Sequence, residues 1–265
     1  MDIKAVNREY NATNIVKLSG GVLQGIEDKD KGQVDFVLPE DGTIENKDVG
    51  KYFVSVPQVN LTGNRSFNYE LIQPNLEDVG VEITQKNITI TGIKAEDRQY
   101  NATNIVNLSE GRLQGIEEID KEKVGFILPE EGTIESKNIG EYFVTIPNIE
   151  LIGEESKNYK LKQPDLQDVS VEIMQKDISI TDIKAANRQY DATNIVTLSG
   201  GKLQGIEEID SEKVGFILPE EGTIENKNIG EYFVTIPNIE LTGEESQNYK
   251  LKQPELQDVS VEIMQ

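Results

Sequence analysis

Residues 142–151 read Tyr-Phe-Val-Thr-Ile-Pro-Asn-Ile-Glu-Leu. Val144 and Ile146 share one phase of a two-residue alternation, and Ile149 and Leu151 take the opposite phase after Pro147. A period of two belongs to a half-buried strand. Proline cannot donate to a strand ladder, so Pro147 marks an edge, a bulge or a change of sheet. The same alternation extends to either side. Ile88, Ile90, Ile93 and Ala95 form one strand pattern, with a bulge expected at Gly92. Val106 and Leu108 form a second. Val124, Phe126 and Leu128 form a third, closed by Pro129 and the turn residues Glu130-Glu131-Gly132. Tyr159 and Leu161, then Val169, Val171 and Ile173, complete the set. No segment of useful length repeats at 3.6 residues. The one helical candidate, Gly115–Lys123, is dense in Glu and Lys and weak in apolar spacing. This predicts an all-β chain of antiparallel, Ig-like β-sandwich modules. Tyr159 stands where such a module places a tyrosine corner. The alternative is a set of β-grasp modules, which needs a real helix at residues 115–123.

The pattern occurs three times. Tyr10, Tyr100 and Tyr190 are spaced by 90 residues, and so are Leu-Gln-Gly-Ile at Leu23, Leu113 and Leu203, and Tyr-Phe-Val at Tyr52, Tyr142 and Tyr232. All nine Tyr and all nine Pro fall at equivalent positions, and of the seven Phe only Phe67 does not. No aromatic but Phe67 is therefore left over for a special site. The modules are 1–85, 86–175 and 176–265, and the first lacks the beginning of its N-terminal strand, the counterpart of Lys86–Ile90. A unit of about 90 residues is large enough to bury a core, unlike a solenoid repeat. The expected arrangement is an extended array of three modules. Both ends read as cuts from a longer array.

Composition narrows the chemistry. His, Cys and Trp are absent, which excludes histidine general bases, Cys or Ser triads with His, disulfides, and zinc or haem sites built on His or Cys. The formal net charge is −22, which opposes binding to nucleic acid and to anionic membranes. No apolar run approaches the ~20 residues of a membrane span.

Several short motifs recur in fixed order. They are Arg-Gln-Tyr-Asn-Ala-Thr from Arg98, Gly-Thr-Ile-Glu-Ser-Lys-Asn-Ile-Gly from Gly132, Leu-Ile-Gly-Glu-Glu-Ser-Lys-Asn-Tyr-Lys-Leu from Leu151, and Val-Glu-Ile-Met-Gln-Lys from Val171. Together they resemble the YDG domain, a repeat of large bacterial surface proteins and adhesins. The family motif falls on Tyr10-Asn11-Ala12, Tyr100-Asn101-Ala102 and Tyr190-Asp191-Ala192, with Ala in each copy where the family has Gly. Should that position need a positive φ, Ala costs about 1 kcal/mol there. The resemblance implies an extracellular, Ig-like module on a bacterial surface and carries over no catalytic residue.

The candidate sites are few. The acidic clusters Glu117, Glu118, Asp120, Glu122, then Glu207, Glu208, Asp210, Glu212, and in module one Glu27, Asp28, Asp30, Asp35 read as solvated: Asp28-Lys-Asp30-Lys-Gly32 lacks the third ligand and the closing Glu of an EF-hand loop, and the spacing changes between modules. Asp177 and Asp182, flanking the second joint, are candidate calcium ligands, and no other metal or cofactor is expected. Phe67 with Arg65 is the one aromatic candidate for binding. Lys4, Lys94 and Lys184 point away from the expected core, which argues against an isopeptide crosslink. The expected function is non-catalytic: monomeric stalk or spacer repeats of a cell-surface adhesin, whose surface ligand is bound by other parts of the protein. Repeats that are themselves adhesive by multivalency are the alternative.

Overall fold

The computed structural model describes residues 2–265. Among them every regular element is a β-strand or a one-turn 3-10 segment, so the chain is all-β. Residues 115–123 contain only the 3-10 turn Glu118–Asp120, and the β-grasp alternative loses its helix.

Val144 and Ile149 are both buried, on either side of Pro147. Gly140–Phe143 pairs with Ser170–Met174, whereas Glu150–Ile152 pairs with Gly125–Ile127. Pro147 thus marks a change of sheet. Three expectations are corrected. Glu131–Thr133 is a strand paired with Ile105–Asn107, not a turn. Gly92 lies within the continuous strand Lys86–Ala95, and its counterpart in the third module, Asp182, shows no bulge: the Lys176–Ala185 strand keeps one register with Ile195–Gln204 across it. The chain kinks there instead, with φ 74° at Gly92 and 61° at Asp182. Finally, the strands are not all antiparallel. Tyr159–Lys162 runs parallel to Lys86–Thr89, and Arg98–Gln99 runs parallel to Ile173–Met174. Sequence alternation reports which face a residue takes and is silent on strand direction.

In the third module the main sheet has seven strands, ordered Arg188–Gln189, Ser260–Met264, Gly230–Thr235, Glu221–Ile224, Ile195–Gln204, Lys176–Ala185 and Tyr249–Lys252. A sheet of this order curls on itself as a half-barrel. Gly215–Ile217 and Glu240–Thr242 form a separate pair. In the first two modules the link between the sheet's halves shrinks to the bridges Thr43↔Ser55 and Thr133↔Thr145. Module one lacks the counterpart of Lys86–Thr89, and its residues 69–72 accordingly form no strand.

The chain packs as two compact units that do not coincide with the 90-residue repeat. The first comprises Met1–Ile93, Glu110–Pro129 and Asn148–Pro164; the second comprises Lys94–Ser109, Glu130–Pro147 and Asp165–Gln265. Each unit therefore contains strands of two successive modules. The core of the first shows why: Ile83, Val81 and Tyr10 of module one are continuous with Ile88, Val124 and Tyr159 of module two.

Candidate functional site

Within each unit the two modules meet through a plug from one and a socket in the next. The plug starts at the Tyr-Asn-Ala-Thr loop. Asn11 Oδ1 accepts the Thr13 N–H at 3.2 Å and the Thr13 hydroxyl at 2.9 Å, and Arg8 donates to the Thr13 carbonyl at 2.7 Å. The Tyr10 N–H is tied to the Thr84 carbonyl at 2.8 Å. This braced turn aims the Tyr10 ring out of module one. The loop requires φ 61° at Ala12, 60° at Ala102 and 67° at Ala192, so the left-handed strain anticipated for Ala in place of Gly is present in all three copies. Ala102→Gly is expected to stabilise the second unit by about 0.5–1 kcal/mol, the relief of strain less the entropy of glycine. The check is a higher urea midpoint at unchanged m-value.

The socket is built by module two. Asp120 closes the 3-10 turn Glu118–Asp120 and is completely buried. Its Oδ2 accepts the Tyr10 hydroxyl at 2.8 Å and the Tyr159 hydroxyl at 2.7 Å. The two rings meet edge to face, 5.4 Å between centroids at 77°. A buried carboxylate needs compensation: the two hydroxyls supply it at Oδ2, whereas the buried Oδ1 makes no hydrogen bond and has only the Lys47 charge, 3.7 Å away. Tyr159 also accepts the Glu117 N–H at 3.2 Å. It is therefore not a tyrosine corner: its hydroxyl bonds some 40 residues upstream, not to the nearby backbone.

The second plug element is the Lys47-Asp48-Val49 run. Lys47 Nζ donates to the Tyr10 hydroxyl at 2.5 Å, pairs with Glu155 at 3.0 Å and lies 5.1 Å from the Tyr10 ring centroid. The buried Asn158 accepts the Val49 N–H at 2.9 Å and donates to Asp48 at 3.0 Å and Glu155 at 2.7 Å. Lys157 and Asp48 form an ion pair at 2.7 Å. Gln85, between the modules, donates to the carbonyls of Lys157 and Tyr159.

The second unit repeats the arrangement 90 residues later. Tyr100 and Tyr249 both donate to Asp210 at 2.8 Å, Lys137 pairs with Glu245 at 2.9 Å, and Asn248 accepts the Ile139 N–H at 3.1 Å. Here Asn138 and Gln247 replace Asp48 and Lys157, and Asn248 donates to Asn138 at 3.1 Å. Burial, then the Asp210 carboxylate, pushes Tyr100 up to about 12, with Lys137 pulling the other way. Tyr249 is raised by the same burial and the same carboxylate. Burial pushes Asp210 up, but the two tyrosine hydroxyls and the Lys137 charge outweigh it and leave Asp210 below its ordinary value.

The signs give a stability window. A raised tyrosine stabilises below its unfolded value of 10.0 and loses that contribution as pH climbs toward 12. A depressed carboxylate stabilises above 3.8 and loses that contribution as pH falls through its folded value. The second unit should therefore hold its urea midpoint between about pH 4 and 10 and weaken outside it. Tyr100→Phe should flatten the alkaline decline.

The other candidates lie elsewhere. Asp177 and Asp182 are exposed on one strand, with Asp177 in register with Lys250. Among the described residues no group of three or more acidic side chains is arranged to hold a metal ion. Phe67 is 77% exposed on the 3-10 turn Ser66–Asn68, next to Arg65. Lys4, Lys94 and Lys184 are exposed. In the acidic clusters, Asp120 and Asp210 are socket centres and not solvated charges. The motif residues Tyr10 and Tyr100 are fully buried plugs, while Tyr190 is 47% exposed.

No curated protein matches the chain. The sequence model of the YDG domain matches residues 84–166 and 174–256. Both spans include a complete Tyr-Asn/Asp-Ala loop, the Lys-Asn-Ile run and the Asn-Tyr socket strand. The chain therefore belongs to the YDG domain family; of the motif tyrosines in the two matched repeats, Tyr100 is seated in the socket of the following repeat and Tyr190 is exposed, and Tyr10, at the equivalent position ahead of them, is seated in the same way.

Proposed function

We propose that these repeats are a non-catalytic stalk or spacer of a bacterial cell-surface, adhesin-like protein, holding a distal binding region away from the cell. On this reading each repeat is an Ig-like module, with parallel pairs added at its sheet edges, and the protein is extracellular and monomeric. The supporting observation is the plug and socket, built in both units around the same Tyr-Asp-Tyr centre with its Lys-Glu pair, which favours resistance to bending at the repeat boundary within each unit. The charge of −22 adds repulsion between neighbours and against aggregation.

A second reading, that the repeats are themselves adhesive, draws on Phe53, Phe143 and Phe233. These rings stand about half exposed at equivalent positions, an arrangement suited to weak multivalent binding.

Small-angle X-ray scattering tests the stalk. Three modules in line, each of ~12 Å radius of gyration with centres ~38 Å apart, give about 33 Å. A 265-residue globule gives about 18 Å. A value near the larger figure, with and without calcium, supports the spacer. A value near the smaller one overturns it and favours the adhesive reading.

A further inference from the structure

The three sockets share a floor and differ at the rim. Asp30, Asp120 and Asp210 occupy the same position, as do Asn68, Asn158, Asn248 and Tyr69, Tyr159, Tyr249. The rim residues that face the plug are Glu155 and Lys157 in module two, Glu245 and Gln247 in module three, and Arg65 and Phe67 in module one. In the two filled sockets rim and plug are matched. Glu155 and Glu245 each take a plug lysine, at 3.0 and 2.9 Å. Lys157 faces Asp48, whereas the uncharged Gln247 goes with the uncharged Asn138. A charged pair in one joint is thus replaced on both sides in the other.

Module one breaks the match. Its socket is open, with Arg65, Phe67 and Asn68 exposed, and its floor is already formed: Tyr69 donates to Asp30 at 2.9 Å and accepts the Glu27 N–H at 3.3 Å. Arg65 puts a cation where the filled sockets have a carboxylate. A lysine plug entering here would meet a like charge at the position where Lys47 and Lys137 find their partner, in a partly desolvated site where repulsion is not screened away. The plugs of this chain all carry lysine, at Lys47, Lys137 and Lys227.

Resting on the joint reading above, we propose that the open socket of module one is a docking surface for the plug of a YDG repeat with no cation at the Lys47 position. Arg65 is its specificity-determining residue and bars the lysine plugs, including the exposed Tyr190, Lys227 and Ile229 face of a second copy. Charge at one rim position thereby sorts which repeat follows which. A chain of near-identical modules needs such discrimination against wrong pairings.

The test rebuilds this rim in a socket that is already filled. Glu155→Arg in the full chain should speed exchange of the Val49 amide about tenfold or more, because that N–H is held by Asn158 inside the joint. Adding Lys47→Gln should return it to within about threefold of the parent. The Ile139 amide of the second unit should be unchanged in both, showing that the chain remains folded. A Glu155→Arg variant with the parent Val49 rate, or a double variant no slower than the single one, overturns the assignment. Asp120→Ala, measured alongside, separates the two levels. If it speeds Val49 while Glu155→Arg does not, only the rim selectivity fails. If neither has an effect, the joint itself is wrong.

Discussion

Replacing Asp120 with alanine will destabilise the first unit by roughly 3–5 kcal/mol, the cost of breaking a buried charged network by removing one partner. Asp120 is fully buried and one of its oxygens accepts two tyrosine hydroxyls, at 2.8 and 2.7 Å. Without it the Tyr159 hydroxyl has no acceptor and the Tyr10 hydroxyl keeps only Glu155 at 3.5 Å, at about 1–3 kcal/mol for each lost bond, and Lys47 loses part of its counter-charge. The unfolding transition of the first unit should drop by around 10 °C. Asp30→Ala is the natural comparison. Asp30 holds only the Tyr69 hydroxyl and faces an open socket, so its loss should cost about 1–2 kcal/mol. Equal effects at Asp30 and Asp120 would mean that the carboxylate serves its own module's turn and contributes nothing to the joint.

Gly153→Ala is the second large effect. Gly153 has φ 106°, and a Cβ there would stand 2.2 Å from the Lys123 carbonyl oxygen and 2.9 Å from its carbon. Both atoms are backbone, so no side-chain rotation relieves the clash. Left-handed strain of about 1–2 kcal/mol and overpacking of about 1–3 kcal/mol together give roughly 3–4 kcal/mol. The position matters because the turn it closes carries the socket rim. The Gly153 carbonyl accepts the Ser156 N–H and hydroxyl, and Glu155 and Asn158 follow at once. Gly92→Ala separates strain from clash: φ is 74° but no atom lies within 4 Å of the added Cβ. Its denaturant midpoint should fall by only about 1–2 kcal/mol equivalent.

Much of the fold was legible because β-structure writes its exposure pattern with a period of two. Val144 and Ile149 fall on opposite phases around Pro147, and the chain does change sheet there. Strand direction left no such trace, so the parallel pairing of Tyr159–Lys162 with Lys86–Thr89 was not foreseen. The strand at Glu131–Thr133 was hidden by residues that also suit a turn, since Gly132 is needed there to clear Val144.

The joint was harder to see. Asp120 lies among Glu117, Glu118 and Glu122, and a run of acids reads as a solvated loop. Its partner Tyr10 is 110 residues away, and local spacing cannot report a contact at that range. One signal was present. Asp30, Asp120 and Asp210 stay the same while their neighbours change, and Asp48 with Lys157 becomes Asn138 with Gln247 as a pair. Matched change across 109 residues is what a packed interface between repeats imposes.

Amide hydrogen exchange of the unaltered chain tests the joint most directly. Val49, Ile139 and Ile229 occupy one position in three modules. The first two donate to Asn158 and Asn248 across the joint, while Ile229 is 57% exposed on an unfilled plug. Slow exchange at Val49 and Ile139 with fast exchange at Ile229 is the expected result. Three equal rates would contradict the account, because the modules would then meet without the plugs being seated.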